Sequence, residues 1–348
     1  MYHVCEVHVD LDAIASNYKY MSNISSKVCP VVKADSYGIG AYKIVERLVK
    51  EGSDTFFVAT LEEALELRES FKNTVFYTLL GLHDDPEVFY RNNIYPVINS
   101  LNQLEKAAKF GKSDFKAAIQ FDTGMSRNGM TPSEMHEMLD KNLHKQIDLK
   151  LVMSHLASSE EKDNLFNQMQ LERFKHIASY FPHVPKSLAN SGGILLGKDY
   201  HFDIVRPGIA TYGYVPDKEF LPAVKMYAKI LEIHTYKAGS TVGYNQTHLL
   251  VSDRILATIG VGYADGLSRA ISNLGEVYYK NYRLPILGRV SMDTIIVDIT
   301  DYVNEITGDF LTVFETKEQM FNIAVSSQTI PYEILTSIGK RFRFHYHG

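Results

Sequence analysis

Two rhythms divide the chain. From residue 28 to about residue 215, short apolar runs rich in β-branched and aromatic residues alternate with stretches of helical spacing. The runs are VCPVVKA (28–34), TFFVAT (55–60), TVFYTLLG (74–81), IYPVIN (94–99), KAAIQF (116–121), KLVMSHL (150–156), KSLAN (186–190) and FDIVRP (202–207). Most are apolar on both faces, as strands buried in a parallel sheet must be. Between them, AYKIVERLVK pairs Ile44 with Leu48 and Val45 with Val49 at i,i+4, the signature of a helix with one buried face. SLNQLEKAAKFG opens on Ser100, a residue that caps helix N-termini well. Eight β-runs, most followed by a helix, predict an N-terminal (β/α)8 TIM-type barrel near the short end of that fold's length range. An open doubly wound sheet has the same alternation, and the count of eight favours the barrel.

After about residue 220 the rhythm changes. VKMYAKILEIHTY, RILATIGVGYAD, GEVYYKNYRLPILGRV and DTIIVDIT are β-rich stretches with short turns between them, and helical spacing returns only at YEILTSIGKRF. This reads as a mostly β C-terminal domain. The turn-rich YVPDKEFLP marks the boundary. The expected domains are a barrel over 1–220 and a mostly β domain over 221–348.

Composition removes several function classes. With 45% hydrophobic and 22% charged residues among 348, the chain has an ordinary globular make-up and enough length for a large core. A net charge of −5 does not favour nucleic acid as a partner. No apolar run approaches the roughly 18 residues of a membrane span, and the start has acids in place of a signal-peptide core. Cys5 and Cys29, the only cysteines, supply neither a disulfide framework nor a structural zinc site. A reducing cytoplasm fits this usage. No metal site is expected. The two histidines of the final FHYHG are read as a solvated terminus.

A TIM barrel performs its chemistry at the C-terminal ends of its strands. Lys33 ends the first run, Arg127 follows the fifth, His155 ends the sixth, Asn190 and Ser191 end the seventh, and Arg206 ends the eighth. Each alone reads more readily as a surface or satisfied buried residue, but all fall on one rim. The loops after strands 7 and 8 frequently hold phosphate in barrels. Here they read NSGG and RPGIATYG, where small residues let backbone N–H groups approach an anion. A rim lysine opposite a phosphate site suits pyridoxal phosphate held as a Schiff base. A phosphate-binding or salt-bridged lysine remains the alternative.

The blocks then form a pattern. VVKADSYGIGA (31–41) resembles the pyridoxal-phosphate lysine motif of alanine racemases. DTGMSRNG, SHLASSE, SLANSGG, VRPGIATYG, VGYNQTH, IGVGYADG, GRVSMD and PYEILTSIGKR resemble that family's other blocks, in order, from about residue 6 to residue 343. The resemblance implies racemisation of alanine by two bases acting on a pyridoxal phosphate aldimine, and a supply of D-alanine for peptidoglycan. It makes Lys33 the aldimine lysine and one base, with Tyr244 as the second base near His155. Tyr37, Ser191, Gly208, Ile209 and Tyr332 would hold the phosphate, and Arg206 would face the pyridine nitrogen. Arg127 and the backbone at Met292 would bind the substrate carboxylate, and Tyr263 would help to form the entrance gate. A homodimer is implied, with Tyr244, Tyr263 and Met292 reaching into the neighbouring site. Without the resemblance, Tyr244 reads as one strand aromatic among 22 tyrosines.

Other readings stay open at this point. These are a broader or serine-type racemase, a barrel-type pyridoxal-phosphate decarboxylase, and a pyridoxal-phosphate carrier without catalysis. The second domain with Tyr244 argues against the carrier, and the sequence lacks the glycine and cysteine motifs of the decarboxylases. Some positions depart from the family pattern. Asp35-Ser36 replaces the commoner Asn-Ala, and Ser291 replaces a frequent Cys. Gln120 stands where many members have a carbamylated lysine that orients the substrate-binding arginine. Glutamine forms no carbamate, so Gln120 is expected to bond Arg127 directly or to leave its place to an anion such as chloride.

Overall fold

The computed structural model describes residues 4–348. A parallel sheet is formed by β2 (Thr55–Val58), β3 (Val75–Thr78), β4 (Ile94–Ile98), β5 (Lys116–Gln120), β6 (Asp148–Met153) and β7 (Lys186–Ser187), after β1 (Cys5–Asp10) has gone elsewhere. The first and eighth apolar runs close the circle through short bridges instead of full strands. Val28 pairs with Val205 and Val31 with Phe57, while the Val31 N–H donates to the Pro207 carbonyl and the Arg206 N–H to the Ala189 carbonyl. All eight β-runs read from the sequence thus take their places in one barrel.

Alternation along these strands builds two cores. Cys29, Val31, Phe57, Tyr77, Tyr95, Val97, Ala118, Leu151 and Met153 fill the barrel interior. Phe57 stacks on Tyr77 at 4.9 Å, and Tyr77 meets Tyr95 edge-on at 5.4 Å. Their neighbours Phe56, Val58, Phe76, Ile94, Ile98 and Ile119 belong to the larger core that takes in the helices. The helices start where capping chemistry says they should. Ser100 accepts the Gln103 N–H, and Thr131 and Glu134 form a reciprocal capping box.

The second domain is built on β8 (Val224–Tyr236), β9 (Thr241–Val242), β10 (His248–Leu249), β11 (Arg254–Ile259), β12 (Glu276–Tyr279), β13 (Tyr282–Leu287), β14 (Ile295–Asp298), β15 (Phe310–Phe314) and β16 (Arg343–His347). The 13-residue β8 changes partners along its length. Its first half pairs with β1 and β15, and its second half with β11. The ring β8–β11–β14–β13–β12–β15 therefore closes on itself, with β1 and β16 added beside β8.

Two ends of the chain depart from the sequence reading. Cys5–Asp10 lies within the stretch read as barrel, yet it pairs only with β8 and β16 of the second sheet. Its period-two burial, with Cys5, Val7 and Val9 inside, is that of a sheet with one covered face. FHYHG is not a solvated tail. Its residues 344–347 lie in β16, which runs parallel to β1, and Phe344, His345 and Tyr346 are partly buried.

Candidate active site

At the C-terminal ends of the barrel strands lies a cavity of about 720 Å³. Lys33, Tyr37, Gln120, Arg127, His155, Asn190, Ser191, Arg206, Gly208 and Tyr332 all line it. The rim residues read from the sequence therefore meet in one place.

The Lys33 segment is bent by unusual backbone. Ala34, Asp35, Ser36 and Tyr37 all have φ between 51° and 60°, a turn of left-handed helix. L-residues resist this conformation, and Asp tolerates it better than most because its short side chain bonds locally. Asp35 does so, since its carboxylate accepts the Ala41 N–H at 2.7 Å. Ser36 bonds the Tyr212 hydroxyl at 2.8 Å in the core. The departure at Asp35-Ser36 is thus a pair of local fastenings. A third comes from Glu63, whose carboxylate accepts the N–H groups of Ala34 at 2.8 Å and Ala59 at 2.7 Å. Glu63 was not singled out in the sequence. The available signal was the Thr60-x-x-Glu63 spacing of a helix start, but here the Glu reaches past its own cap to the Lys33 loop.

Electrostatics in the cavity is set by burial. Desolvation, with the nearby Arg127 charge, pulls the Lys33 pKa below the ordinary lysine range, and Glu63 opposes the shift. Arg206 is buried, and its pKa falls to about 10, so it remains a cation at neutral pH. It donates to the Ser154 carbonyl at 2.6 Å and to the Ser187 hydroxyl. His155 is held neutral, its pKa lowered to about 3 by burial and then by Arg206, Arg127 and Lys33. Burial pushes the hydroxyls of Tyr37 and Tyr332 well above their usual range, so both are neutral donors.

On the side of strands 7 and 8, the Ser191 hydroxyl accepts the N–H groups of Gly208 at 2.9 Å and Ala210 at 3.1 Å. Ile209 is buried between them. A Cβ on Gly208 would sit 2.0 Å from the Tyr37 hydroxyl, so a side chain there would displace Tyr37. The Tyr332 hydroxyl donates to Glu160 at 2.9 Å.

Arg127 projects from a loop pinned by Met130 N–H to Gln120 carbonyl and Asp122 N–H to Met130 carbonyl bonds. It has no ion pair or hydrogen bond among the described residues. Gln120 does not bond the Arg127 side chain, as one sequence expectation had it. Its amide donates instead to the Asn128 carbonyl at 3.1 Å. The neutral amide thus fixes the backbone next to Arg127.

Residues 9–216 match the family described as "Alanine racemase, N-terminal domain", and residues 223–346 match "Alanine racemase, C-terminal domain". The chain belongs to the alanine racemase family. Among curated relatives, it is 40% identical to an alanine racemase of Rickettsia africae, with 99% of each chain covered. It is 38% identical to one of Brucella abortus, covering 96% of this chain and 91% of the relative. Among solved structures, it resembles the Bartonella henselae alanine racemase with covalently bound pyridoxal phosphate, with a TM-score of 0.95, 37% identity, and 99% and 100% of the two chains covered. It also resembles the Bacillus anthracis alanine racemase with bound L-Ala-P, with a TM-score of 0.88, 28% identity, and coverage of 100% and 96%.

Three residues that the alanine racemase pattern singles out lie outside the cavity. Tyr244 is 67% exposed, Met292 53% and Tyr263 45%. They sit on neighbouring loops of the second domain. The Tyr263 N–H donates to the Ser291 carbonyl and the Ala264 N–H to the Met292 carbonyl, each at 3.0 Å. Gly243, next to Tyr244, packs against the backbone of Gly288 and Arg289. One chain therefore gathers Lys33, His155 and Arg206 in a cavity and displays Tyr244, Tyr263 and Met292 on a surface, without joining the two.

Proposed function

We propose that this chain interconverts L- and D-alanine in the barrel cavity, with pyridoxal phosphate bound there and Lys33 and Tyr244 as the opposing bases. The observation that carries the reading is a desolvated lysine in one cavity with an arginine that has no acidic partner among the described residues. The residues fit the cofactor. Tyr37, Ser191, Tyr332 and the backbone at Gly208 and Ile209 are the neutral groups that would hold a phosphate, the Tyr332 hydroxyl and the Gly208 N–H turning to it from Glu160 and Ser191, in a cradle that a Cβ on Gly208 would crowd. Arg206, fixed by two bonds and still charged, is the residue to face the pyridine nitrogen as a donor. Pyridoxal phosphate, when bound, supplies the electron sink that lets an amino acid release its α-proton near neutral pH.

The chain's own residues do the rest. Desolvation leaves the Lys33 amine ready to attach covalently and to accept a proton at Nζ. Arg127 offers a planar fork to the substrate carboxylate, with the Met292 backbone as a further contact. Inversion needs a second proton carrier on the opposite face, the task of the Tyr244 hydroxyl. Tyr263 narrows the entrance. The exposure of Tyr244, Tyr263 and Met292 supports a homodimer in which each second domain completes the neighbour's cavity. A cytoplasmic place, supplying D-alanine to peptidoglycan, goes with this activity. Among the described residues no helix is long and apolar enough to cross a membrane.

The test is α-proton exchange in D₂O, with the protein loaded with pyridoxal phosphate and given L- or D-alanine. Exchange from both enantiomers is expected, and failure with both removes the reading. A parallel run with serine measures how broad the pocket is.

A further inference from the structure

A second cluster of ligating side chains lies outside the cavity, where β1 meets β16. Glu6 and His8 share the partly open face of β1, and the parallel register sets His8 beside His345. The ligand atoms of Glu6, His8 and His345 all lie within 4.8 Å of one another. His8 Nε2 is 3.4 Å from one Glu6 oxygen, and His345 Nε2 is 3.8 Å from the other. Donors around a tetrahedral zinc ion stand about 3.4 Å apart, given bonds of about 2.0–2.2 Å. His345 Nε2 is buried and has no hydrogen-bond partner. On the other side of the His8 ring, Nδ1 is 3.0 Å from His347 Nε2.

We propose that Glu6, His8 and His345 form a binding site for a first-row divalent transition ion of the zinc class. Two imidazoles and a carboxylate suit such an ion, whereas calcium and magnesium prefer oxygen alone. His347 takes the remaining N–H of His8, the outer bond that orients a ligating imidazole. It is a positioning residue. The ion ties the edge strand β16 to β1. Tyr346, between the two β16 histidines, donates its hydroxyl to the Ile39 carbonyl at 2.8 Å, in the loop that follows Lys33. Metal binding therefore steadies the strand that props this loop.

The experiment uses the full chain with its cofactor, carrying no polyhistidine tag and dialysed free of metal. Calorimetric titration with zinc should give one equivalent per chain, and the melting temperature should rise with zinc. Cobalt in its place should show the intense visible bands of a tetrahedral, imidazole-bound ion. His8→Gln and His345→Gln should each lose the equivalent and the zinc-dependent rise. His347→Gln should weaken binding by roughly ten- to a hundredfold. Circular dichroism and melting in chelator check that the variants are folded. Absence of a stoichiometric zinc equivalent at micromolar concentration would overturn the proposal. So would a weak octahedral cobalt spectrum in the unaltered chain, or unchanged binding in folded His8→Gln and His345→Gln.

Discussion

The barrel cavity and the exposed face of the second domain carry different residues under opposite conditions. In the cavity, a lysine, two arginines and a histidine are drawn together, and burial shifts Lys33, Arg206 and His155 toward their neutral forms. On the second domain, Tyr244, Tyr263 and Met292 stand in water. A barrel rim is rigid and can hold charge out of solvent before any substrate arrives. A tyrosine in water has a pKa of about 10 and is a poor base. On the proposed reading the two halves make chemical sense only when brought together, so separating or joining them tests it.

The largest effect should come from emptying the cavity of its amine. Lys33→Ala should lower exchange from both enantiomers by on the order of 10⁴-fold or more, since a covalent anchor and a base go together. Retention of a substantial rate would show that the cavity is not where the chemistry occurs. Next comes Tyr244→Phe, expected to cost about 10²–10⁴-fold, chiefly from the L side. Mixing the two dead variants sharpens the comparison. If each second domain serves its neighbour, unfolding and refolding them together should restore about a quarter of the sites by random pairing in a twofold dimer. No recovery, with mixed dimers present, would mean that both halves must come from one chain.

Arg127→Lys tests the border between the halves. It keeps the charge and loses the fork, so kcat/KM should fall by about ten- to a hundredfold. Gln120→Ala should cost less, because Gln120 holds only the Asn128 carbonyl next door. An equal loss in both would mean that Gln120 acts on the guanidinium after all.

The barrel was legible because its strands are buried on both faces and so read as apolar runs. The rim was legible because a polar residue ending such a run stands out, as Lys33, His155 and Arg206 do. What stayed hidden depends on partners distant in sequence. Cys5–Asp10 alternates clearly, but nothing local says that it joins a sheet completed more than 200 residues later. The terminal histidines look solvated until β1 pairs with them. Glu63 looks like an ordinary helix-start acid, and only the folded loop shows which N–H groups it holds. Gln120 was weighed against Arg127, the charged neighbour, while the backbone carbonyl one residue on took its amide.

The smallest expected effect concerns His155 and the charge of the cavity. Its pKa is about 3 in the fold, against an ordinary 6.5. Below about pH 6.5 the unfolded chain takes up a proton there that the folded chain refuses, so this group lowers stability as the pH falls, until about pH 3. Between about pH 7.5 and about pH 5.5 the loss is about 1.4 kcal/mol. His155→Gln should remove that part of the pH dependence, read as the difference in urea unfolding free energy of the cofactor-free protein at the two pH values. An unchanged difference would mean that His155 takes up its proton in the fold as readily as in the unfolded chain. The outcome bears on Tyr244 as well. A neutral His155 has no charge with which to lower the pKa of a tyrosine entering the cavity and acts on it only by hydrogen bonding. The electrostatic part of that task then falls to Arg206, which stays charged although buried, and to Arg127 at the cavity rim.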